Sequence, residues 1–148
     1  MLGEPPDTCP AMIRLTALLI ALSLPASAAL AQDWALDGID PVSYSRDGAA
    51  VPGRTDLVTM WRGQAWHFAN EENREHFEAN PKVYAPAMGG FCVVALSEGR
   101  AEPGNPRYFA VIGQRTYLVR SERARERLMA DPKPILDLAK ATWAKMHP

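Results

Sequence analysis

Cysteine is scarce in this sequence, and neither sign of charge dominates it. Two cysteines in 148 residues are too few for a disulfide scaffold, or for a zinc site made only of thiolates from one chain. The 16 basic and 17 acidic residues give a formal charge of −1, and without a basic surplus no nucleic-acid partner is expected. With 47% hydrophobic residues the chain is expected to fold, and its length suits one domain.

Long apolar runs are equally scarce, and the one that is present lies near the N-terminus. Residues 15–24 form a mainly apolar run, which is about half the length of a membrane span. Arg14 precedes this run, and an Ala-x-Ala site at residues 29–31 follows it. This order is typical of a secretory signal peptide, so we expect residues 1–31 to be removed by cleavage after the site.

Two details of this segment stay open. Residues 26–28 form a second Ala-x-Ala site, and Met12 stands just before Arg14, so residues 1–11 are a mis-assigned start if translation begins there. After cleavage Cys92 is the only thiol, and no transmembrane segment is expected in what remains. The signal predicts a periplasmic or secreted protein.

The rest of the chain contains two similar segments, about fifty residues apart. Each has two short strand-like runs around a Gly-Gln pair, and then a polar helical stretch that ends at Pro-Lys. The second copy is followed by a helical pattern at the C-terminus. The predicted strands are residues 58–61, 65–68, 108–112 and 115–119, and the predicted helices are residues 70–79, 121–130 and 134–146.

This pattern predicts an α+β fold in which two β-hairpin-plus-helix units share one core, with a C-terminal helix. Pro81 and Pro132 are expected to close the two internal helices. Residues 84–96 are apolar enough for a buried strand or a buried helix, and the pattern does not decide between them. Residues 97–107 have the composition of a loop.

Several of these motifs carry a resemblance to a known family. The Asp-Pro-Val element at residues 40–42, the segment from His67 to Asn73 and the Asn-Pro-Lys-Val-Tyr run at residues 80–84 resemble the YHS domain family. The whole of residues 34–148 resembles the exported, stand-alone YHS-domain proteins. The supporting motifs are residues 38–44, 51–53, 89–92, 103–106 and 141–143.

The resemblance implies a metal role only for members with cysteines at three positions. In those relatives one cysteine follows the Asp-Pro-Val element and two more lie four residues apart near the hairpin-to-helix junction. Here Ser43, Ala69 and Asn73 stand at these positions. None of the three is a soft ligand, so the metal role is not carried over and the cofactor stays unknown.

The segment around the paired glycines supplies the candidates for ligand binding. Gly89 and Gly90 allow a neighbouring strand or a ligand to approach the backbone closely. The aromatic residues Trp61, Trp66, Tyr84, Phe91, Tyr108 and Trp143 either form the core or line a small-molecule pocket. The ligand-binding candidates are Gly89, Gly90, Phe91, Cys92 and Tyr84.

Three side chains are weak candidates for a metal: His67, His76 and Cys92. Strand alternation places His67 on the face opposite Trp66 and Phe68, so it is expected at the surface or half-buried. His76 is expected to face solvent, and the two histidines need not meet. Cys92 follows the paired glycines in an apolar run, where it is either inert packing or a functional thiol.

These observations lead to two main hypotheses about function. The first is an exported, non-enzymatic YHS-like binding module for an unidentified small ligand or metal. The alternative is a periplasmic accessory protein that docks a protein partner and binds no ligand. An enzyme that uses Cys92 is the third hypothesis, and it is disfavoured because no orienting partner or oxyanion site is indicated.

Overall fold

The computed structural model describes residues 33–148, and the predicted signal peptide lies outside the described residues. Within this range no helix is long and apolar enough to cross a membrane. Helices and two antiparallel hairpins give the predicted α+β fold. In chain order the elements are turn A (Ala35–Gly38), α1 (Ser43–Arg46), β1 (Arg54–Trp61), β2 (Gln64–Phe68), α2 (Glu71–Ala79), α3 (Pro81–Tyr84), turn B (Ala87–Gly90), α4 (Val93–Ser97), β3 (Asn105–Ile112), β4 (Arg115–Val119), α5 (Glu122–Ala130) and α6 (Pro132–Met146).

Both predicted hairpins are present, and they close in the same way. β1 pairs with β2 and β3 pairs with β4, each through a two-residue connection. Both residues of each connection, Arg62-Gly63 and Gly113-Gln114, have positive φ. This geometry matches the right-handed twist of the strands, and it favours glycine or asparagine.

The two internal helices start at the predicted caps. The Asn70 side chain accepts a hydrogen bond from the Asn73 N–H at 2.8 Å, and the Ser121 hydroxyl accepts one from the Ala124 N–H at 3.2 Å. Each cap satisfies a backbone donor that has no partner within its helix. α2 then buries Phe77, as α5 buries Leu128 at the corresponding position.

The two internal helices end just before the two prolines, as expected, but each proline also has a second role. Pro81 begins α3 and Pro132 begins α6, so each proline opens a helix directly after the preceding one has ended. Proline is well tolerated at the first position of a helix, because the N–H that it lacks would have no partner there. For the same reason the C-terminal helix begins two residues before the predicted start, Pro134.

The segments that the sequence left open also take defined structures. Residues 87–90 form turn B, and residues 93–97 form the short helix α4. The predicted loop at 97–107 is shorter than expected, because α4 includes Ser97 and β3 begins at Asn105.

The internal repeat is longer than the hairpin and the helix. Turn A and turn B each contain two consecutive left-handed residues before a glycine of positive φ. That glycine accepts a backbone hydrogen bond in both copies, from Gly53 to Gly38 at 2.8 Å and from Gly104 to Gly90 at 2.9 Å. We call residues 34–84 the first repeat and residues 86–146 the second repeat.

The core has one cluster of apolar side chains in each repeat and a third that joins them. Ile39 and Tyr44 of the first repeat meet Leu118 and Phe109 of the second in the joining cluster. The Tyr44 hydroxyl donates a hydrogen bond of 2.7 Å to the Pro106 carbonyl. Burial, helped by nearby carboxylates, raises the pKa of Tyr44, so this hydroxyl stays protonated.

Gly53 and Gly104 provide a test of the repeat. A Cβ on Gly53 would lie 2.5 Å from the His67 carbonyl carbon, and one on Gly104 would lie 2.5 Å from the Leu118 Cβ. We expect Gly53→Ala and Gly104→Ala each to lower the free energy of unfolding by about 3 kcal/mol, because packed atoms must move. Urea denaturation measures the loss.

Gly48→Ala is the matched control for these two substitutions. Gly48 has a φ of 64° and no atom within 4 Å of an added Cβ, so alanine there meets only backbone strain. That strain should cost about 1 kcal/mol. Equal losses of unfolding free energy in all three variants would contradict the close approach of packed atoms to Gly53 and Gly104.

Candidate functional site

A cleft of about 300 Å³ lies between the two repeats. Its volume is at the lower end of the range for small-molecule pockets. A wider depression of about 560 Å³ lies along β3 and α5, and a smaller one of about 160 Å³ adjoins Cys92, but both are more open to solvent. The cleft is lined by Ala35, Leu36, Asp37, Trp61, Arg62, Gln64, Trp66, Ala85, Pro86, Gly89, Gly90, Gly104, Pro106 and Leu118.

One wall of the cleft is formed by two indole rings that the fold holds in place. Trp61 and Trp66 meet edge to face, with ring centroids 5.5 Å apart. The Trp66 Nε1–H donates a hydrogen bond of 3.0 Å to the Trp61 carbonyl, and Phe77 packs against both rings. These contacts within the protein fix the orientation of both rings, as is usual for the apolar walls of ligand pockets.

The rim of the cleft carries two exposed charges of opposite sign, Arg62 and Asp37. The Arg62 guanidinium carbon lies 4.5 Å from the centroid of the Trp61 ring, which is a cation–π contact. Neither charged side chain has an ion pair or a hydrogen bond within residues 33–148.

Two strained turns border the cleft. Leu36 and Asp37 in turn A have φ of 57° and 51°, and Met88 and Gly89 in turn B have φ of 53° and 61°. Left-handed backbone costs about 1 kcal/mol or more for a residue other than glycine. Strain of this kind is concentrated at binding sites, where the surrounding structure holds it in place.

The structure separates the five predicted ligand residues. Gly89 and Gly90 line the cleft. Phe91 packs against Trp143 with ring centroids 5.7 Å apart, while Tyr84 packs on the core of the first repeat. Cys92 is 0% exposed in the core of the second repeat, and it lines the separate small depression.

Sequence reasoning missed three polar residues of the cleft, Asp37, Arg62 and Gln64. Asp37 lies in turn A, while Arg62 and Gln64 lie at the tip of the first hairpin. Their proximity depends on the tertiary structure, so no spacing along the chain reveals it. The pair of tryptophans on either side of the hairpin tip indicates the apolar wall of the cleft, but not these polar groups.

The expectation for His67 was wrong, because this histidine is 3% exposed. The second face of the hairpin is covered by Trp34, whose ring centroid lies 4.3 Å from that of His67, and Trp34 forms a β-bridge to Ala65. His67 Nδ1 lies 3.1 Å from the Arg54 carbonyl and therefore carries the proton. Nε2 is buried, and it has no partner within the described residues.

The three metal candidates do not converge. His76 is partly exposed and contacts Arg46 and Glu72 on the surface of α2. His67 is buried against Trp34, whereas Cys92 is buried in the core of the second repeat. Within residues 33–148 no group of three or more histidine, cysteine, aspartate or glutamate side chains is placed to hold a metal ion.

A buried carboxylate lies beside Ser43, Ala69 and Asn73, the three positions that the predicted resemblance aligns with cysteines. Asp40 is 0% exposed. Its Oδ1 accepts the Val42 N–H at 2.8 Å, and its Oδ2 accepts the Ala69 N–H at 2.9 Å and the Asn73 side-chain amide at 2.7 Å. The Ser43 hydroxyl lies 2.8 Å from the Asp40 carbonyl oxygen. The residues at all three positions therefore form hydrogen bonds with Asp40.

Removing the Asp40 carboxylate should be strongly destabilising. We expect Asp40→Ala to lower the free energy of unfolding by about 4 kcal/mol, because three buried N–H donors lose their acceptor. Asn73→Ala removes only one of these donors and should cost about 1–2 kcal/mol. Urea denaturation of the two variants measures the difference.

Cys92→Ala is the matched control, because Cys92 follows turn B as Asp40 follows turn A. The Cys92 N–H donates to the Glu102 carbonyl at 2.8 Å, as the Asp40 N–H donates to Val51 at 2.9 Å. The thiol accepts no comparable set of donors, so its loss should cost about 1 kcal/mol. An Asp40→Ala variant as stable as Cys92→Ala would show that the three hydrogen bonds contribute little.

His67 and Leu118 occupy matching positions, because each lies against the close-packed glycine of its repeat. We expect His67→Leu to remain within about 1 kcal/mol of the parent or to exceed it, since a buried nitrogen without a partner is removed. Leu118→His should lose about 2 kcal/mol or more. Thermal melts of both variants test this pair, and a large loss in His67→Leu would show that Nε2 has a partner in solution.

Comparison of this chain with protein-family models, with curated proteins and with solved structures gives no match. The resemblance to the YHS family therefore stays a prediction from the motifs in the sequence.

Proposed function

We propose that this chain is an exported, non-enzymatic binding module that holds a small ligand in the cleft. The observation that supports this most strongly is the combination of a fixed indole wall with two exposed charges of opposite sign, neither of which has an ion pair or a hydrogen bond among the described residues. Ligand pockets combine apolar walls with a few polar groups that orient the ligand. Export to the periplasm or the medium rests on the signal-like pattern of residues 1–31.

A small organic molecule fits this cleft better than a metal ion does. The side chains on its rim include a guanidinium, which repels cations and has no lone pair to donate. The positions of the family's thiolate site are filled by Ser43, Ala69 and Asn73, and these residues are already bonded to Asp40. The hypothesis that the module binds a metal therefore has less support than the hypothesis that it binds a small ligand.

The burial of Cys92 favours binding over catalysis. A nucleophilic thiol must be reached by its substrate and is activated by a base or a positive environment. Cys92 is 0% exposed and packs with Val93, Leu96 and Leu128 in the core of the second repeat. This environment suits a small apolar side chain.

Docking of a protein partner is the second candidate function. α6 leaves Leu138 57% exposed, and α5 leaves Met129 52% exposed. Isolated apolar side chains of this kind are common on monomeric proteins. The cleft therefore supports the ligand hypothesis more specifically than these side chains support docking.

Filling the cleft should abolish ligand binding. Gln64 is a half-buried strand residue on the cleft wall, where a tryptophan would occupy the space. We expect protein purified from its export compartment to carry a small molecule in native mass spectrometry, and the Gln64→Trp variant to lack it. The melting temperature of the variant should change little, because tryptophan is well accommodated in strands.

Arg115→Trp is the matched control, because Arg115 begins β4 as Gln64 begins β2, but it does not line the cleft. This variant should retain the small molecule. If Gln64→Trp carries a bound molecule of the same mass as the parent does, the ligand lies outside the cleft. A protein subunit in place of a small molecule would favour the docking hypothesis.

A further inference from the structure

We infer that the ligand is a small zwitterion with an apolar side chain, such as a free α-amino acid or an amino carboxylate of similar size. In this arrangement its cationic group pairs with Asp37, its carboxylate pairs with Arg62, and its side chain lies against Trp61 and Trp66. The inference rests on the proposed function and names the chemical class of the ligand in the same cleft.

The carboxylate of Asp37 is not required by the fold. Turn A is closed by backbone groups, from the Ile39 N–H to the Leu36 carbonyl at 2.9 Å. Turn B has the same backbone geometry, and there Gly89 stands at the place of Asp37. Glycine adopts left-handed backbone without strain, whereas aspartate adopts it at a cost. The first repeat therefore carries an acidic side chain at a position where the second repeat closes the same turn with glycine.

The same argument applies to Arg62 at the other side of the cleft. It is the first residue of a hairpin turn in which both residues have positive φ, and Gly113 stands at that place in the second repeat. Glycine, asparagine and aspartate are the residues favoured there, and arginine is not among them. The cation–π contact with Trp61 holds the guanidinium over the indole wall.

The two charges face one cleft without neutralising each other. They do not form an ion pair, so their charged atoms are separated by more than an ion-pair distance. A ligand with a single charge would satisfy one of them and leave the other unpaired. A ligand with both an ammonium group and a carboxylate satisfies both, and charge-assisted hydrogen bonds of this kind are the stronger ones.

The apolar wall and the volume define the remainder of the ligand. Trp61, Trp66 and Leu36 present apolar surface to the cleft, which favours an aliphatic or aromatic side chain over a polar one. A volume of about 300 Å³ suits a molecule of amino-acid size better than an extended peptide.

Three compounds with the same ring and different charges test this class. L-phenylalanine carries both charges, 3-phenylpropionate lacks the ammonium group, and 2-phenylethylamine lacks the carboxylate. We expect L-phenylalanine to bind about tenfold more tightly than either analogue in isothermal titration calorimetry, because each analogue leaves one cleft charge unpaired. The amide NMR signals of Gly89, Gly90 and Gly104 should shift on binding.

Two substitutions assign each charge to its partner. Asp37→Asn should weaken the binding of L-phenylalanine about tenfold. It should leave the binding of 3-phenylpropionate unchanged, since that analogue has no ammonium group to pair with Asp37. Arg62→Gln should weaken L-phenylalanine similarly and leave 2-phenylethylamine unchanged. Asparagine tolerates left-handed backbone, and Gln114 already adopts it in the second hairpin, so both variants should fold. Asp47→Asn and Arg123→Gln, which change exposed charges outside the cleft, should have no effect.

Equal affinities for the three compounds, or no shift of the cleft amides with any of them at millimolar concentration, would overturn the zwitterion inference. The proposed function would survive that result if native mass spectrometry still found another small molecule that Gln64→Trp excludes. Absence of any small molecule from the parent protein, together with no binding in the panel, would overturn both.

Discussion

The Asp40 carboxylate is the interaction on which the first repeat depends. It is fully buried, and it is held by N–H groups from three parts of the chain: Val42 at the start of α1, Ala69 after β2, and the Asn73 side chain in α2. A buried charge is stable only when donors replace its lost water, and here they do. This set of bonds fixes the segment after turn A against the end of the first hairpin. Turn A and the first hairpin both line the cleft whereas Asp40 does not, so the carboxylate supports two walls of the cleft from outside it.

The two repeats share a backbone but differ in polarity at matching positions. Asp40 corresponds to Cys92, His67 to Leu118, Asp37 to Gly89 and Arg62 to Gly113. In each pair the first repeat has the polar or charged residue, and the second has an apolar residue or glycine. The second repeat therefore contributes an apolar side of the cleft and the largest apolar cluster of the core, which includes residues of α6. The first repeat contributes the chemical groups of the cleft.

Much of the fold could be predicted from the sequence, because its signals are local. Hairpins follow from short strand-like runs around Gly-Gln, and helices follow from Asn70 and Ser121 as caps. Pro81 and Pro132 correctly indicated the ends of α2 and α5, but the sequence did not show that each proline also begins the next helix. The burial of His67 was missed because the ring that covers it, Trp34, lies more than thirty residues away in the chain.

The residues of the cleft could be predicted from the sequence only where they lie in one short segment. Gly89 and Gly90 were found because paired glycines indicate close approach of another group. Asp37 and Arg62 were missed because each is an ordinary surface charge in sequence, and only the folded chain shows that both occupy glycine-like backbone on one cleft. A comparison of the two repeats, position by position, would have been the one sequence signal available, since charge replaces glycine at both places.

The fold tolerates the backbone strain around the cleft because of how the core is arranged. Leu36, Asp37, Arg62 and Met88 are left-handed without being glycine, at about 1 kcal/mol or more each. A domain of this size has a net stability of about 5–15 kcal/mol, so these residues use a substantial part of it. The cores of both repeats and the joining cluster bury large side chains directly behind the turns, which keeps them from relaxing. The backbone that carries these charges does not need to reorganise when a ligand arrives, so less of the binding energy is lost in ordering it.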